Sequence, residues 1–405
     1  MILLPARMGM LNRRALIRQM EKAGLASRAG LARSLGMSQP TAGKIVDELL
    51  RENILEEITP AADSSAPLAG PGRPGRLLCL NRSRPGFLGI QMGVGHSDFY
   101  ELPLNASSPP LWQERLMHPG KGANPLRAWE RSLKRIAARS RRHKFHCAVL
   151  SVPGVVDEPA GRVIFSPNIH WSEKADLPGL IRRHWKIPVF LVQEERTLAL
   201  GHHRQHPEHE DFLLVDFGDG VGGAILTGGK PFASSQPIGE LGHTPVPGNR
   251  RKCGCGATGC LETLVSVHGL LRSFAEEHPA KRHGWSELQS HIVTRGVEPW
   301  LGRALQAAAV VIAGALNVLG LRRVVLTGAL NELNPKVVAR LVDGIREGSI
   351  WARFGVVDCH VEARNRMAGL VSVGIDRFIA PEPMLKQSFT AKNKFYEKSN
   401  PIEIT

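Results

Sequence analysis

Cysteine is scarce in this chain, with six among 405 residues, which excludes a disulfide-stapled scaffold. Long hydrophobic runs are missing too. The longest apolar stretches, such as residues 307–316, fall far short of a membrane span, so no membrane insertion is expected. The first ten residues carry a short apolar start but no long apolar segment and no small-residue cleavage site. That predicts no signal peptide and a cytoplasmic location. Neither heptads nor an internal repeat is visible. Acidic side chains are in deficit: 37 Asp and Glu face 52 Lys and Arg, a formal net charge of +15. Such an excess favours polyanionic partners, nucleic acid first, although a generally basic surface has the same composition. The basic run Lys134, Arg135, Arg139, Arg141, Arg142 and Lys144 reads as a solvated helix face.

What is present divides the chain into three parts: 1–81, 82–383 and a polar, Lys-rich tail, 384–405. In the first part, residues 12–23, 27–35 and 39–52 read as helices. Gly24 lies just past the first, Ser27 and Ser38 stand as N-caps, and Pro40 sits harmlessly in a first turn. Residues 54–58 and 76–80 read as two strands around a loop rich in Ala, Ser, Pro and Gly, which makes a wing. The second part alternates short apolar strands (87–92, 147–152, 189–192, 212–217, 323–327) with helices, including a buried one over 304–319. This is an α/β pattern. Cys79, Cys147 and Cys359 sit in apolar surroundings and read as core thiols.

Residues 27–49 carry a helix-turn-helix pattern. Leu31, Ala32 and Leu35 face inward, Gly36 makes the turn, and Ile45, Val46 and Leu49 anchor the third helix. Gln39, Thr41, Ala42 and Lys44 are then expected to project outward beside the cap Ser38. Gln and Thr read base edges and Ala meets a thymine methyl, while Lys44, Arg28 and Arg33 reach phosphates. In the wing, Arg73 and Arg76 are the two arginines of a Gly-Arg-Pro-Gly-Arg segment at 72–76. It suits either a minor-groove insertion or a plain turn. The expected partner of this part is double-stranded operator DNA.

His243, Cys253, Cys255 and Cys260 follow an H-x9-C-x-C-x4-C spacing, with glycines at 254, 256 and 259. One imidazole and three thiolates suit a tetrahedral, structural zinc ion with no open position. Free thiols or a disulfide are the alternative. Glu240 and Glu262 bracket this knot. Carboxylates beside an imidazole suit vicinal sugar hydroxyls, although by themselves they also suit a solvated surface.

Several ordered motifs resemble the ROK family of repressors and sugar kinases. They are Val-Pro-Gly-Val-Val-Asp at 152–157, Ser-Pro-Asn-Ile-His-Trp at 166–171, Gly-Asp-Gly-Val-Gly-Gly at 218–223, Gly-Glu-Leu-Gly-His at 239–243, and the cysteine run 253–262. With the N-terminal unit, the chain resembles the xylose-repressor and N-acetylglucosamine-repressor branch. The resemblance implies two actin-like or hexokinase-like (ribonuclease H-like) lobes behind a winged helix-turn-helix. It implies sugar contacts at Asn168, Glu194, Glu240, His243 and Glu262, and a homodimer or homotetramer. It places the kinase general base at Glu194, or at Glu195 if the register slips by one. A Glu there adds a methylene, and a displacement of about 1 Å can cost about 100-fold in rate. Gln91 stands where the family kinases carry an acidic residue at the first phosphate loop. No catalytic residue and no ATP are therefore expected. The expected function is a transcriptional regulator of carbohydrate metabolism, a repressor, that responds to a sugar or sugar phosphate. An active sugar kinase with an appended DNA-binding unit is the alternative, and control by a partner protein instead of a small ligand is not separated from the first reading by the sequence.

Overall fold

The computed structural model describes residues 5–58, 76–119, 124–140, 143–232, 238–280 and 283–381. The wing tip with Arg73, and the tail 384–405, lie outside the described residues.

The N-terminal unit contains α1 (Pro5–Ala23), the two-residue β1 (Ala26–Ser27), α2 (Arg28–Ser34), α3 (Gln39–Arg51), β2 (Leu55–Ile58) and β3 (Leu77–Leu80). Gly36 takes φ +61° between α2 and α3, a left-handed turn that glycine adopts at no steric cost. Leu16, Ile17 and Met20 of α1 pack with Leu31, Ile45, Val46 and Leu49. The strands form one antiparallel sheet in the order β1-β3-β2.

The first lobe follows: β4 (Phe87–Met92), β5 (His96–Leu102), β6 (Trp112–Met117), α4 (Pro125–Arg139), β7 (Cys147–Val152), the hairpin β8 (Val155–Asp157) and β9 (Arg162–Phe165), α5 (Leu177–Trp185) and β10 (Val189–Gln193). Helix α6 (Glu194–Gln205) leads to the second lobe. There lie β11 (Phe212–Phe217), β12 (Val221–Thr227), β13 (Lys230–Pro231), α7 (Glu262–Val265), α8 (Val267–Glu277), α9 (Trp285–Arg295), α10 (Pro299–Leu319), β14 (Arg323–Gly328), α11 (Pro335–Gly348) and β15 (Asp358–Val361), after which α12 (Arg366–Gly374) returns to pack on α6 and the first-lobe strands β4 and β7.

The lobes share one topology. The first sheet runs β10-β7-β4-β5-β6 and the second β15-β14-β11-β12-β13. In each, the first strand pairs antiparallel with the second and parallel with the fourth. The architecture is thus duplicated although the sequence shows no repeat, because strand order rests on pairing and not on residue identity. Helices α6 and α12 touch backbone to backbone: a Cβ on Gly369 would lie 2.0 Å from the Thr197 carbonyl oxygen.

The apolar core does not stop at residue 81. One contiguous cluster runs from Leu16, Ile45 and Leu78 through Phe87, Leu102 and Val149 to Leu370 and Ile375. The N-terminal unit is therefore packed onto the first lobe. Helix α10 is long and apolar enough to cross a membrane by composition, yet Leu301, Leu305, Ala308, Ile312 and Leu316 build the core of the second lobe.

Some expectations need correction. Helix α1 begins at Pro5, seven residues before position 12. Ala42 is buried and points into the core; it lies on the same face as Ile45, Val46 and Leu49, so it cannot meet a base. Cys79 and Cys147 are core thiols, but Cys359 is only half-buried. On α4, Lys134 and Arg135 are exposed as expected, Arg135 paired with Glu114; Arg139 stacks over Trp112 with 4.2 Å to the ring centre.

Candidate functional site

The helix-turn-helix face is organised by two serine caps. Ser27 Oγ accepts from the Gly30 N–H at 3.0 Å, and Ser38 Oγ from the Thr41 N–H at 3.3 Å. The Ser38 and Thr41 hydroxyls also bond to each other at 2.8 Å. Gln39, Thr41 and Lys44 are exposed on α3, as is Arg33 at the end of α2. The arginines divide into two kinds. Arg28 donates to Asp47 Oδ1 at 2.5 Å and to Glu57 Oε1 at 3.3 Å, and Arg76 pairs with the same Glu57. Their charges brace α2, α3 and the wing. Arg33 and Lys44 make no ion pair with any described residue, so their charge is left to the solvent-facing surface.

The four expected metal ligands converge. Cys255 and Cys260 sulfurs lie 3.7 Å apart, and Cys253 Sγ lies 3.6 Å from His243 Nδ1. All four donor atoms fall within 4.8 Å of one another. With zinc–sulfur bonds of 2.3 Å, tetrahedral sulfurs stand about 3.8 Å apart. The donor set and the spacing therefore fit the ion. Burial pushes the Cys253 and Cys260 thiols up; a divalent cation supplies the charge that thiolates in this place need.

His243 divides its ring between two neighbours. Its Nδ1 faces the cysteines, while Nε2 lies 3.7 Å from Glu240 Oε2. Glu262 Oε1 lies 3.9 Å from Nδ1 and accepts from the Cys253 thiol at 2.9 Å. Burial raises the Glu240 carboxyl; His243 works against this and Glu262 with it. At Gly220, a Cβ would lie 3.1 Å from Glu262 Oε2 and 4.0 Å from Asn168 Nδ2. Asn168 and Glu262 thus meet at the turn carrying Gly220, and His243 links Glu262 to Glu240.

Glu194 does not join them. It opens α6, accepts from Gln91 Nε2 at 2.8 Å, and is gripped by Arg366 at 3.2 Å. The next residue faces the cluster instead. Glu195 is buried, and a Cβ on Gly222 would collide with it at 2.3 Å. Its carboxyl is raised well above the ordinary range by burial, then by the charges of Glu194, Asp216 and Glu240.

Beside the Gly-Asp-Gly-Val-Gly-Gly segment at 218–223 lies an ion pair. Arg364 donates to both oxygens of Asp216, at 2.6 and 2.9 Å, and to the Phe217 carbonyl at 3.2 Å. A Cβ on Gly218 would lie 2.6 Å from Arg364 Nη2. Arg364 and Arg366 were not foreseen; the only local trace is that they flank Asn365, the N-cap of α12. The far end of α6 carries another unforeseen contact. Arg204 pairs with Glu21 of α1. Glu21 also accepts from Arg18 at 2.7 Å, and Arg18 reaches Asp376.

The ROK family model matches residues 130–365. The xylose repressor of Bacillus subtilis is 22% identical over 388 residues, 91% of this chain and 96% of that protein. The DNA-binding transcriptional dual regulator NagC of Escherichia coli is 26% identical over 271 residues, 63% of this chain and 62% of that protein. Among solved structures, a ROK family transcriptional regulator described as a homolog of the E. coli MLC protein superposes with a TM-score of 0.72. It has 19% identity and covers 90% of this chain and 96% of that one. A ROK family glucokinase from Streptomyces griseus, in complex with glucose and AMPPNP, superposes with a TM-score of 0.59 at 20% identity. It covers 71% and 97%. The mixed α/β architecture is therefore the one shared by these repressors and sugar kinases.

Proposed function

This chain belongs to the ROK family, and from that premise we propose that it is a sugar-responsive transcriptional regulator whose ligand domain descends from a sugar kinase. The observation that carries the reading is the placement of α6. Its first turn bears Glu194 and Glu195 at the cleft, and its last turn bears Arg204, paired with α1 of the helix-turn-helix unit. Twelve residues of helix span about 18 Å as a rigid rod.

In this reading Asn168, Glu195, Glu240 and Glu262 take sugar hydroxyls. His243 holds a structural zinc ion through Nδ1 and turns Nε2 toward Glu240. Cys253, Cys255 and Cys260 supply the other zinc ligands, and the ion fixes the loop from which both carboxylates project. Sugar binding draws the lobes together and shifts α6. That shift changes how two α3 helices of a dimer are spaced for adjacent major grooves. Arg33 and Lys44 neutralise phosphates, and Gln39 and Thr41 read bases.

Catalysis is abandoned in this reading. Gln91 supplies no anionic metal ligand, Glu194 is neutralised by Arg366, and Arg364 packs against the loop where phosphates would lie. The zinc contributes structure only. The relatives named as repressors, one of them matching over nearly its whole length, support the same side. A thermal-shift screen of hexoses, pentoses, aminosugars and their phosphates tests the proposal. A stabilising sugar is expected, and its effect should vanish in Glu240→Ala. A screen in which no sugar shifts the wild type, or in which Glu240→Ala responds fully, overturns it.

A further inference from the structure

Among the imidazoles that the readings above do not use, four are gathered in one place. His202 lies in the last turn of α6 and His206 is the residue that caps its C-terminal end, and their rings lie side by side. His209 follows in the turn before β11, and His360 comes from β15. Ring centres lie 4.8 Å apart for His202 and His206, 5.2 Å for His202 and His360, and 4.9 Å for His206 and His360. Glu362 closes the group. Its Oε1 lies 2.6 Å from His202 Nδ1, while its Oε2 lies 3.7 Å from His206 Nε2 and 3.5 Å from His360 Nε2.

The last two distances decide how the group is read. They are too long for good hydrogen bonds. Two ligands each about 2.0 Å from a tetrahedral ion, however, stand about 3.3 Å apart. The donor atoms of His202, His206, His360 and Glu362 all lie within 4.8 Å of one another. His202 is held in place at both ring nitrogens, and its 2.6 Å hydrogen bond to Glu362 would have to open to about 3.3 Å for both to ligate one ion. Its Nδ1 faces Glu362, while its Nε2 is held by His209 Nδ1 at 2.9 Å. Metal-ligating histidines characteristically have the second ring nitrogen engaged in this way. A second histidine cluster provides the contrast. His278, His291 and Trp300 place ring nitrogens at 2.8, 2.9 and 3.0 Å from a single oxygen of Glu298. Hydrogen bonds account for that hub in full.

We propose that His202, His206, His360 and Glu362 form a second divalent transition-metal site, distinct from the cysteine site, that ties α6 to β15. Neutral imidazoles with one carboxylate are borderline donors suited to zinc, cobalt or nickel. Two ligands come from the C-terminal end of α6 and two from the end of β15, so an ion here joins elements that the sequence separates by more than 150 positions. It holds the helix one turn from Arg204. It also holds the strand end that leads directly to Arg364 and Arg366. Occupancy therefore bears on both ends of α6, whatever ligand the cleft takes.

The full-length chain is saturated with Zn2+, desalted, and its zinc measured by mass spectrometry. Two ions per chain are expected in the wild type. One is expected in a His206→Ala/His360→Ala double variant, whose altered residues are both partly exposed, and one in Cys255→Ser. Co2+ loading separates the sites. Thiolate-to-cobalt charge-transfer absorption should persist in the histidine variant and vanish in Cys255→Ser, which keeps only ligand-field bands. A wild-type ratio of one zinc per chain overturns the proposal whatever the variants do. So does a second ion that the histidine substitutions leave in place.

Discussion

Arg204, in the last turn of α6, is ion-paired with Glu21 of α1. The Glu21 side chain is 6% exposed and that of Arg204 16%, so the pair sits under the docked helix-turn-helix unit. A half-buried charge pair holds its partners in one register, and removing one member leaves the other uncompensated. Glu21→Gln should therefore lower stability, and above all reduce the effect of sugar on DNA affinity. Coupling of this kind is typically worth about 1–3 kcal/mol. Titrations of DNA with and without sugar should show the two affinities largely retained and their mutual dependence lost.

Lys44 and Arg28 are both cations of the DNA-binding unit, but they should fail differently. Lys44→Ala should weaken binding to all sequences alike and reduce the slope of log affinity against log salt by about 1. Arg28→Ala removes the brace to Asp47 and Glu57 and should show chiefly as a lower melting temperature. Anisotropy titrations at several salt concentrations, with thermal melts, check both. An unchanged salt slope in Lys44→Ala refutes its phosphate contact.

If the proposed zinc holds the loop between Glu240 and Glu262, Cys255→Ser should cost that zinc and about tenfold or more in sugar affinity. Zinc analysis paired with calorimetry reads both quantities. Sugar affinity unaffected by loss of that zinc would refute the link.

Coupled assays with ATP and a range of hexoses and aminosugars should show no turnover. Arg364 lies against Gly218, paired with Asp216, and Glu194 is held by Gln91 and Arg366. Robust phosphorylation that Glu194→Ala or Glu195→Ala abolishes would contradict this.

The buried Glu195 carboxyl makes a prediction about pH. Its folded-state pKa is raised, so the native chain keeps a proton that the unfolded chain releases near the ordinary carboxylate range. Stability must then fall as pH rises from that range toward the folded-state value. Glu195→Gln, which removes the titration at constant shape, should be more stable than the wild type at neutral pH, with the gap closing near pH 4. Denaturant melts across that range decide it; a constant gap would mean that Glu195 is ionised in the folded chain.

Features written in neighbouring residues were legible before the structure. Ser27, Gly36 and Ser38 punctuate the helix-turn-helix, and strands β4, β7 and β11 are apolar runs whose ends needed no correction. The cysteines of the knot lie within eight positions. Ala42 was misplaced although the signal was there: with Ile45, Val46 and Leu49 it completes an i, i+3, i+4, i+7 stripe. What stayed hidden joins distant residues. Nothing near Arg364 announces Asp216, nothing near Arg204 announces Glu21, and His202 meets His360 only because α6 lies against the second sheet. Glu194 and Glu195 could not be told apart because they share a helix turn, and only the packing partners show which one faces Glu240.

In the proposed function, sugar in the cleft is read out at α3. The most direct measurement selects DNA from a random library with the full-length chain, then titrates the selected duplex with and without the sugar found by thermal shift. The account predicts one enriched, two-fold symmetric sequence. Its affinity should change at least tenfold with sugar, and Glu240→Ala should abolish that change while leaving sugar-free DNA binding intact. No enriched sequence, or an affinity indifferent to a sugar that demonstrably binds, would contradict it.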